Sequence, residues 1–160
     1  MGGGLQTWDP RRRLRLVAHH SKEVADIRGS TVLVADDDDS VRLVARLQLE
    51  TFGFQVVAAA SGEEAVDLFR KNREDVDVVL MDLTMPGMSG EETLGELRAI
   101  DPGVNVIVVS GLTREEASEA FSGQGPFAFL QKPFEMAELI RTVSKAVRDK
   151  AARGGRAEAA

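Results

Sequence analysis

A run of apolar residues, Val78-Val79-Leu80-Met81, ends abruptly on one carboxylate, Asp82, and passes into a loop carrying Pro86, Gly87 and Gly90 before a helix-like segment from Glu91. A continuous apolar run of this kind marks a strand buried on both faces, as in a parallel sheet covered by helices. In such sheets ligands gather beyond the carboxyl ends of the strands, where Asp82 stands. A lone Asp after a strand most often just starts a turn. The weight of Asp82 therefore depends on what the neighbouring strands deliver beside it.

From residue 31 the chain alternates between short apolar runs and amphipathic segments. Thr31-Val32-Leu33-Val34-Ala35 reads as a first strand, followed by Asp36-Asp37-Asp38-Asp39 and Ser40, good helix starters. Val41, Val44, Ala45, Leu47 and Leu49 supply the apolar positions of a helix to about Phe52, and Gly53 ends it. Gln55 to Ala59 is a second strand, and Ser61 followed by Glu64 predicts a capping box opening the next helix. After the Asp82 loop, a helix over about Glu91 to Ala99 is broken by Asp101-Pro102-Gly103. Val104 to Val109 is a fourth strand ending on Ser110-Gly111, and Thr113 with Glu116 predicts a second capping box and a short helix to about Phe121. Gly123 and Gly125-Pro126 mark a loop. Phe127 to Gln131 is the fifth strand, followed by Lys132-Pro133-Phe134 and an amphipathic helix with Met136, Leu139, Ile140, Val143 and Val147 on one face. Five strands alternating with five helices predict an α/β, doubly wound, five-stranded parallel sheet, and right-handed crossovers leave it few topologies, among them the flavodoxin-like order 2-1-3-4-5.

The same reading divides the chain into residues 1–29, a flexible tail or linker; residues 30–148, one domain; and residues 149–160, a polar C-terminal tail. Charge follows that division. Residues 30–149 hold eleven Lys/Arg against twenty-two Asp/Glu, −11, although the whole chain is only −6. An acidic domain argues against direct nucleic acid binding. The cluster Arg11, Arg12, Arg13 and Arg15 is expected to be a solvated tail, and His19-His20 lacks the spaced partners of a metal site. There is no cysteine, so disulfides, thiolate metal sites and thiol nucleophiles are excluded. No apolar run approaches the roughly 18 residues that span a bilayer, and the N-terminus has no signal-peptide core. A cytoplasmic protein without membrane association is expected.

If the sheet takes the order 2-1-3-4-5, strands one and three are neighbours and Asp36, Asp37 and Asp82 converge at the switch-point crevice, with Ser110 and Lys132 at the ends of strands four and five. Converging carboxylates raise one another's pKa unless a cation sits among them. A hard divalent ion, Mg²⁺, suits such a set, with Mn²⁺ as the alternative. Three carboxylates, Mg²⁺ and Lys132 sum to about zero formal charge, which admits a phosphoryl group; a carboxylate attacking phosphorus gives an aspartyl phosphate.

Taken together, Val32-Leu33-Val34-Ala35-Asp36-Asp37-Asp38, the stretch from Val79 to Gly90, Val108-Val109-Ser110-Gly111 and Phe129-Leu130-Gln131-Lys132-Pro133-Phe134 resemble the motif set of bacterial two-component receiver domains. The likeness covers residues 30–148. It implies that Asp82 accepts a phosphoryl group from a phosphohistidine on a sensor histidine kinase or histidine phosphotransfer protein. It implies that Asp37, Asp82 and the main-chain carbonyl of Thr84 ligate Mg²⁺ with Asp36 acting nearby through water, and that Ser110 and Lys132 read the phosphoryl oxygens. Lys132-Pro133 is then expected to be cis. Phe129 matches the aromatic switch position and, with Ser110, is expected to remodel a protein-interaction face towards a downstream protein or a phosphorylation-dependent homodimer. Thr84 and Leu112 occupy the positions bordering the hydrolytic water; apolar Leu112 cannot orient it, so slow self-dephosphorylation is expected.

Such a module catalyses its own phosphorylation and dephosphorylation but is not a turnover enzyme. Both a stand-alone regulator and the terminal receiver of a hybrid histidine kinase agree with the sequence, the linker-like residues 1–29 leaning towards the second. A haloacid-dehalogenase-like phosphatase would want an acid where Thr84 stands and a cap-sized insertion. The alternative of another class is a pseudo-receiver that binds partners without phosphorylation, which would normally have lost some of these residues.

Overall fold

The computed structural model describes residues 27–121 and 128–158, with side chains through residue 154. Strands β1 (Thr31–Ala35), β2 (Gln55–Ala59), β3 (Val76–Asp82), β4 (Val106–Ser110) and β5 (Ala128–Gln131) alternate with helices α1 (Asp39–Phe52), α2 (Gly62–Lys71), α3 (Gly90–Ile100), α4 (Arg114–Ala120) and α5 (Met136–Glu158). All strand pairs are parallel, in the order β2-β1-β3-β4-β5. The topology is the expected one. The expected loop at Gly123 and Gly125-Pro126, the first residue of the expected fifth strand (Phe127), the arginine cluster and His19-His20 lie outside the described residues.

Two apolar layers flank the sheet, as the alternation of side chains requires. Val32, Val34, Leu80, Ile107 and Val109 point towards Ala45 and Leu49 of α1 and Leu139, Val143 and Val147 of α5. Leu33, Ala35, Val79, Met81 and Val108 point towards Ala65 and Phe69 of α2, Leu94 and Leu97 of α3, and Phe121. Val76 and Val78 share a parity yet lie in opposite layers. The cause is a register shift: Thr31 pairs with Val76 and Val32 with Val78, leaving Asp77 as the extra residue of a bulge. Its Oδ2 accepts the Thr31 N–H at 2.9 Å, and Lys150 Nζ pairs with its Oδ1 at 3.6 Å while donating to the Val76 carbonyl at 2.8 Å.

Helix ends follow local chemistry. Gly53 caps α1 at φ 106°, in the left-handed region where glycine carries no Cβ penalty. Thr113 and Glu116 form a complete capping box, and so do Ser89 and Glu92, which start α3 at Gly90. The box expected at Ser61 is only half made. Ser61 Oγ accepts the Glu64 N–H, but Glu64 Oε2 reaches past the cap to the Ala60 N–H at 2.8 Å.

Three details differ from the sequence reading. Ile27 is buried in the α1–α5 layer, 3% exposed, so the folded unit takes in residues assigned to the tail. Helix α5 continues through most of the expected C-terminal tail, to Glu158. Of the apolar positions expected inward, Val41, Val44, Leu47 and Met136 are exposed, and α1 packs through Ala45 and Leu49. Among the described residues no helix is long and apolar enough to cross a membrane.

Candidate functional site

The carboxyl edge of the sheet brings the polar strand ends together because β1 and β3 are neighbours whose connections leave in opposite directions. Asp82 is the last residue of β3, pairing in register with Val109, and is 8% exposed. Asp36 follows β1 and is 5% exposed; Asp37 beside it is exposed. Each of the three offers a carboxylate oxygen, and these oxygens all lie within 4.8 Å of one another. Three such oxygens are a hard donor set of the sort Mg²⁺ takes.

Lys132, delivered from the end of β5, is the counter-charge. Its Nζ donates to Asp82 Oδ2 at 3.0 Å and to Asp36 Oδ2 at 3.5 Å. Burial by itself pulls the Lys132 pKa down, but the hydrogen bond and charge of Asp82, with Asp36 behind them, outweigh it and hold the ammonium above its usual value. Asp36 is pushed up, first by burial; the Asp38 N–H at 2.9 Å and Lys132 work against this, and the Asp82 charge adds to it. The crevice thus holds two buried acids and one shared cation, with negative charge in excess.

Local bonds fix each of these groups. The Asp36 N–H donates to the Ala59 carbonyl at 3.1 Å. Asp38 caps α1, accepting from the Ser40 and Val41 N–H groups. Arg42 Nη1 donates to the Asp36 carbonyl at 2.7 Å while its other arm pairs with Asp39, clamping the acid loop to the first turn of α1. Sequence reasoning missed Arg42, although an acid and an arginine three apart at a helix start do signal a pair. Beyond Asp82, the Thr84 N–H donates to Asp82 Oδ1 at 3.0 Å. Glu63 of α2 accepts the Met88 N–H at 2.9 Å, and its own N–H and that of Met88 keep its carboxylate below the usual range. At Gly90 a Cβ would stand 2.8 Å from the end of the Leu83 side chain and 3.2 Å from the Leu83 carbonyl oxygen, so a larger residue there would require Leu83 to shift.

Ser110 ends β4 and is buried; its Oγ accepts the Leu112 N–H at 3.1 Å, and its carbonyl accepts the Lys132 N–H at 2.8 Å. Phe129 pairs with Val108 and Ser110 with Gln131, so Ser110 and Phe129 belong to the same face of the sheet. Phe129 is half-buried against the α2–α3 layer. Leu112 is 39% exposed. The Lys132-Pro133 peptide is cis. Asp36, Asp37, Asp82, Thr84, Ser110, Leu112 and Lys132 therefore lie at one edge of the sheet, with Phe129 on β5 beside it.

The response regulator receiver domain family model matches residues 32–144. The chain is 36% identical over 125 residues to the sensor kinase CckA of Brucella abortus, covering 78% of this chain but only 13% of that kinase. Its structure is similar to that of the chemotaxis protein CheY4 of Vibrio cholerae, with a TM-score of 0.68 and 28% identity over 74% of this chain and 98% of that one. It is also similar to a structure of the CheX-CheY-BeF3-Mg²⁺ complex of Borrelia burgdorferi, with a TM-score of 0.64 and 30% identity over 72% of this chain and 87% of that one. The matched span takes in all five strands but for Thr31 at the start of β1, together with all the strand-end residues described above, and the chain belongs to the response regulator receiver domain family.

Proposed function

We propose that the chain is a phosphoacceptor in two-component signal transduction, with Asp82 taking a phosphoryl group from the phosphohistidine of a sensor kinase or phosphotransfer protein. The observation that carries this reading is the convergence of Asp36, Asp37 and Asp82 oxygens within 4.8 Å, with Lys132 Nζ 3.0 Å from Asp82. An Asp82 oxygen attacks phosphorus, forming an O–P bond as the P–N bond to imidazole breaks. The electron pair stays on the imidazole nitrogen, which takes a proton from solvent, and the product is an acyl phosphate.

Mg²⁺ fits the donor set: Asp37, Asp82 and the Thr84 carbonyl would hold it, with Asp36 nearby through water, and Mn²⁺ would serve in its place. When bound it would offset carboxylate charge and polarise phosphoryl oxygens. Lys132 gives up one Asp82 oxygen and follows the transferred charge onto the phosphoryl group. The Ser110 hydroxyl, which accepts from Leu112 N–H, still has its own proton to donate to a phosphoryl oxygen. A shift of Ser110 towards the phosphate vacates space beside Phe129, and an inward turn of the ring would recast the surface of α4, β5 and α5 for a downstream protein. The phenylalanine has no hydroxyl, so this switch works by packing. The reading suits a switch component acting inside the cell more than a turnover enzyme.

Intact mass after incubation with acetyl phosphate tests the proposal. A Mg²⁺-dependent gain of one phosphoryl group that is absent from Asp82→Asn is expected. No adduct under any condition would make the chain a phosphorylation-independent binding module.

A further inference from the structure

The positive charge of this acidic protein is concentrated on its last helix. Between residues 30 and 135 there are eight Lys/Arg and twenty Asp/Glu, whereas α5 alone carries six basic and three acidic residues. Between α4 and α5, over β5, runs a groove of about 770 Å³. Its lining includes Arg114 of α4, Phe129 of β5, and Arg141, Lys145, Asp149 and Arg153 of α5. Lys145 pairs with Asp149 at 3.2 Å, an exposed contact worth little. Arg114, Arg141 and Arg153 are exposed and have no acidic partner among the described residues. Three guanidinium groups without an acidic partner among the described residues therefore line the groove, with an aromatic ring among its apolar walls.

We infer that this groove docks an acidic segment of another protein. The inference rests on the reading of β5 and its flanking helices as the switched face and adds the chemistry of what binds there. Arginine forks match carboxylates in paired geometry, and Phe129 offers an apolar contact for a neighbouring side chain. From Arg141 to Arg153 the helix spans about 18 Å, enough for a short helical or extended segment. A nucleic acid longer than the groove would run onto the acidic remainder of the domain.

The test uses a fluorescent peptide of leucine and glutamate at helical spacing, its glutamine counterpart, a single-stranded DNA of matching charge and anionic vesicles. Each is titrated into the full chain with and without acetyl phosphate and Mg²⁺, beside Asp82→Asn and Arg141→Glu/Arg153→Glu. The acidic peptide is expected to bind, the glutamine peptide to fail, and the double reversal to weaken binding about tenfold or more while its phosphorylation by mass stays at the wild-type level. Binding unaffected by the reversal, no salt-sensitive peptide binding, or tighter binding of DNA or vesicles would overturn the inference. So would a phosphorylated dimer that the reversal dissolves. Loss of the Asp82 adduct with peptide binding retained would instead count against the phosphoacceptor reading alone.

Discussion

Lys132 Nζ donates to Asp82 Oδ2 at 3.0 Å, so the cation delivered by β5 rests on the carboxylate delivered by β3. The same ammonium is 3.5 Å from Asp36, which makes it the shared counter-charge of the crevice. Lys132→Met is expected to slow phosphorylation by acetyl phosphate about 100-fold, the scale on which a transition-state oxygen donor acts. Because its folded-state pKa is raised, the stabilisation Lys132 gives is complete below the usual value of 10.5 and fades as pH rises through the higher folded value. Urea unfolding of the wild type and Lys132→Met should therefore differ by a constant amount from pH 7 to 9 and converge in stronger alkali.

Asp36 titrates in the opposite context. Its folded-state pKa is raised, chiefly by burial, so its favourable contribution is full below the unfolded value of 3.8 and is lost as pH rises through the folded one. At neutral pH its ionised form is a cost to the metal-free protein. Asp36→Asn is expected to raise Tm by about 3 °C in chelator at pH 7, with the gain shrinking as pH falls towards 3.8. Added Mg²⁺ should stabilise the wild type more than the variant. Thermal scans over pH, with and without the ion, check both halves.

Leu112 stands 39% exposed with its N–H on Ser110 Oγ; on the proposed reading its apolar side chain borders the water that would attack the acyl phosphate. Decay of the phosphorylated wild type is expected over hours, and Leu112→Glu should quicken it roughly tenfold by supplying a group that orients water. Mass spectra taken during decay give both rates; an unchanged rate in the variant would count against the assignment.

Which features were legible in the sequence follows from how local their causes are. The strands ending at Ala35, Asp82 and Ser110 are short apolar runs bounded by polar residues, and the strand order then sets Asp36, Asp37, Asp82 and Lys132 on one edge. The box at Thr113 and Glu116 was readable because both partners sit three apart before an apolar helix. Ser89 and Glu92 have the same spacing, but the Pro86-Gly87 loop before Ser89 and Gly90 after it disguise a helix start. At Ser61 the spacing was right and the partner wrong, since Glu64 binds Ala60 instead. The bulge at Asp77 depends on Thr31, forty-six residues away, and Ile27 is inside only because α1 and α5 close over it. No local pattern encodes such contacts.

Ile27 offers a direct check on where the folded unit starts. It is 3% exposed within the α1–α5 layer, so Ile27→Ala is expected to cost about 2–4 kcal/mol, read as a lower urea midpoint with an unchanged slope. A surface substitution such as Arg28→Ala should cost well under that.

Borohydride trapping locates the phosphoryl group residue by residue. The wild type is treated with acetyl phosphate and Mg²⁺, reduced, and digested with trypsin, which releases residues 74–98 as one peptide holding Asp75, Asp77 and Asp82. Reduction turns an aspartyl phosphate into homoserine, and fragmentation reads its position. Homoserine at 82 alone, and only with Mg²⁺ present, is the predicted result. Homoserine at Asp36 or Asp37, modification without the ion, or an unmodified Asp82 would contradict it.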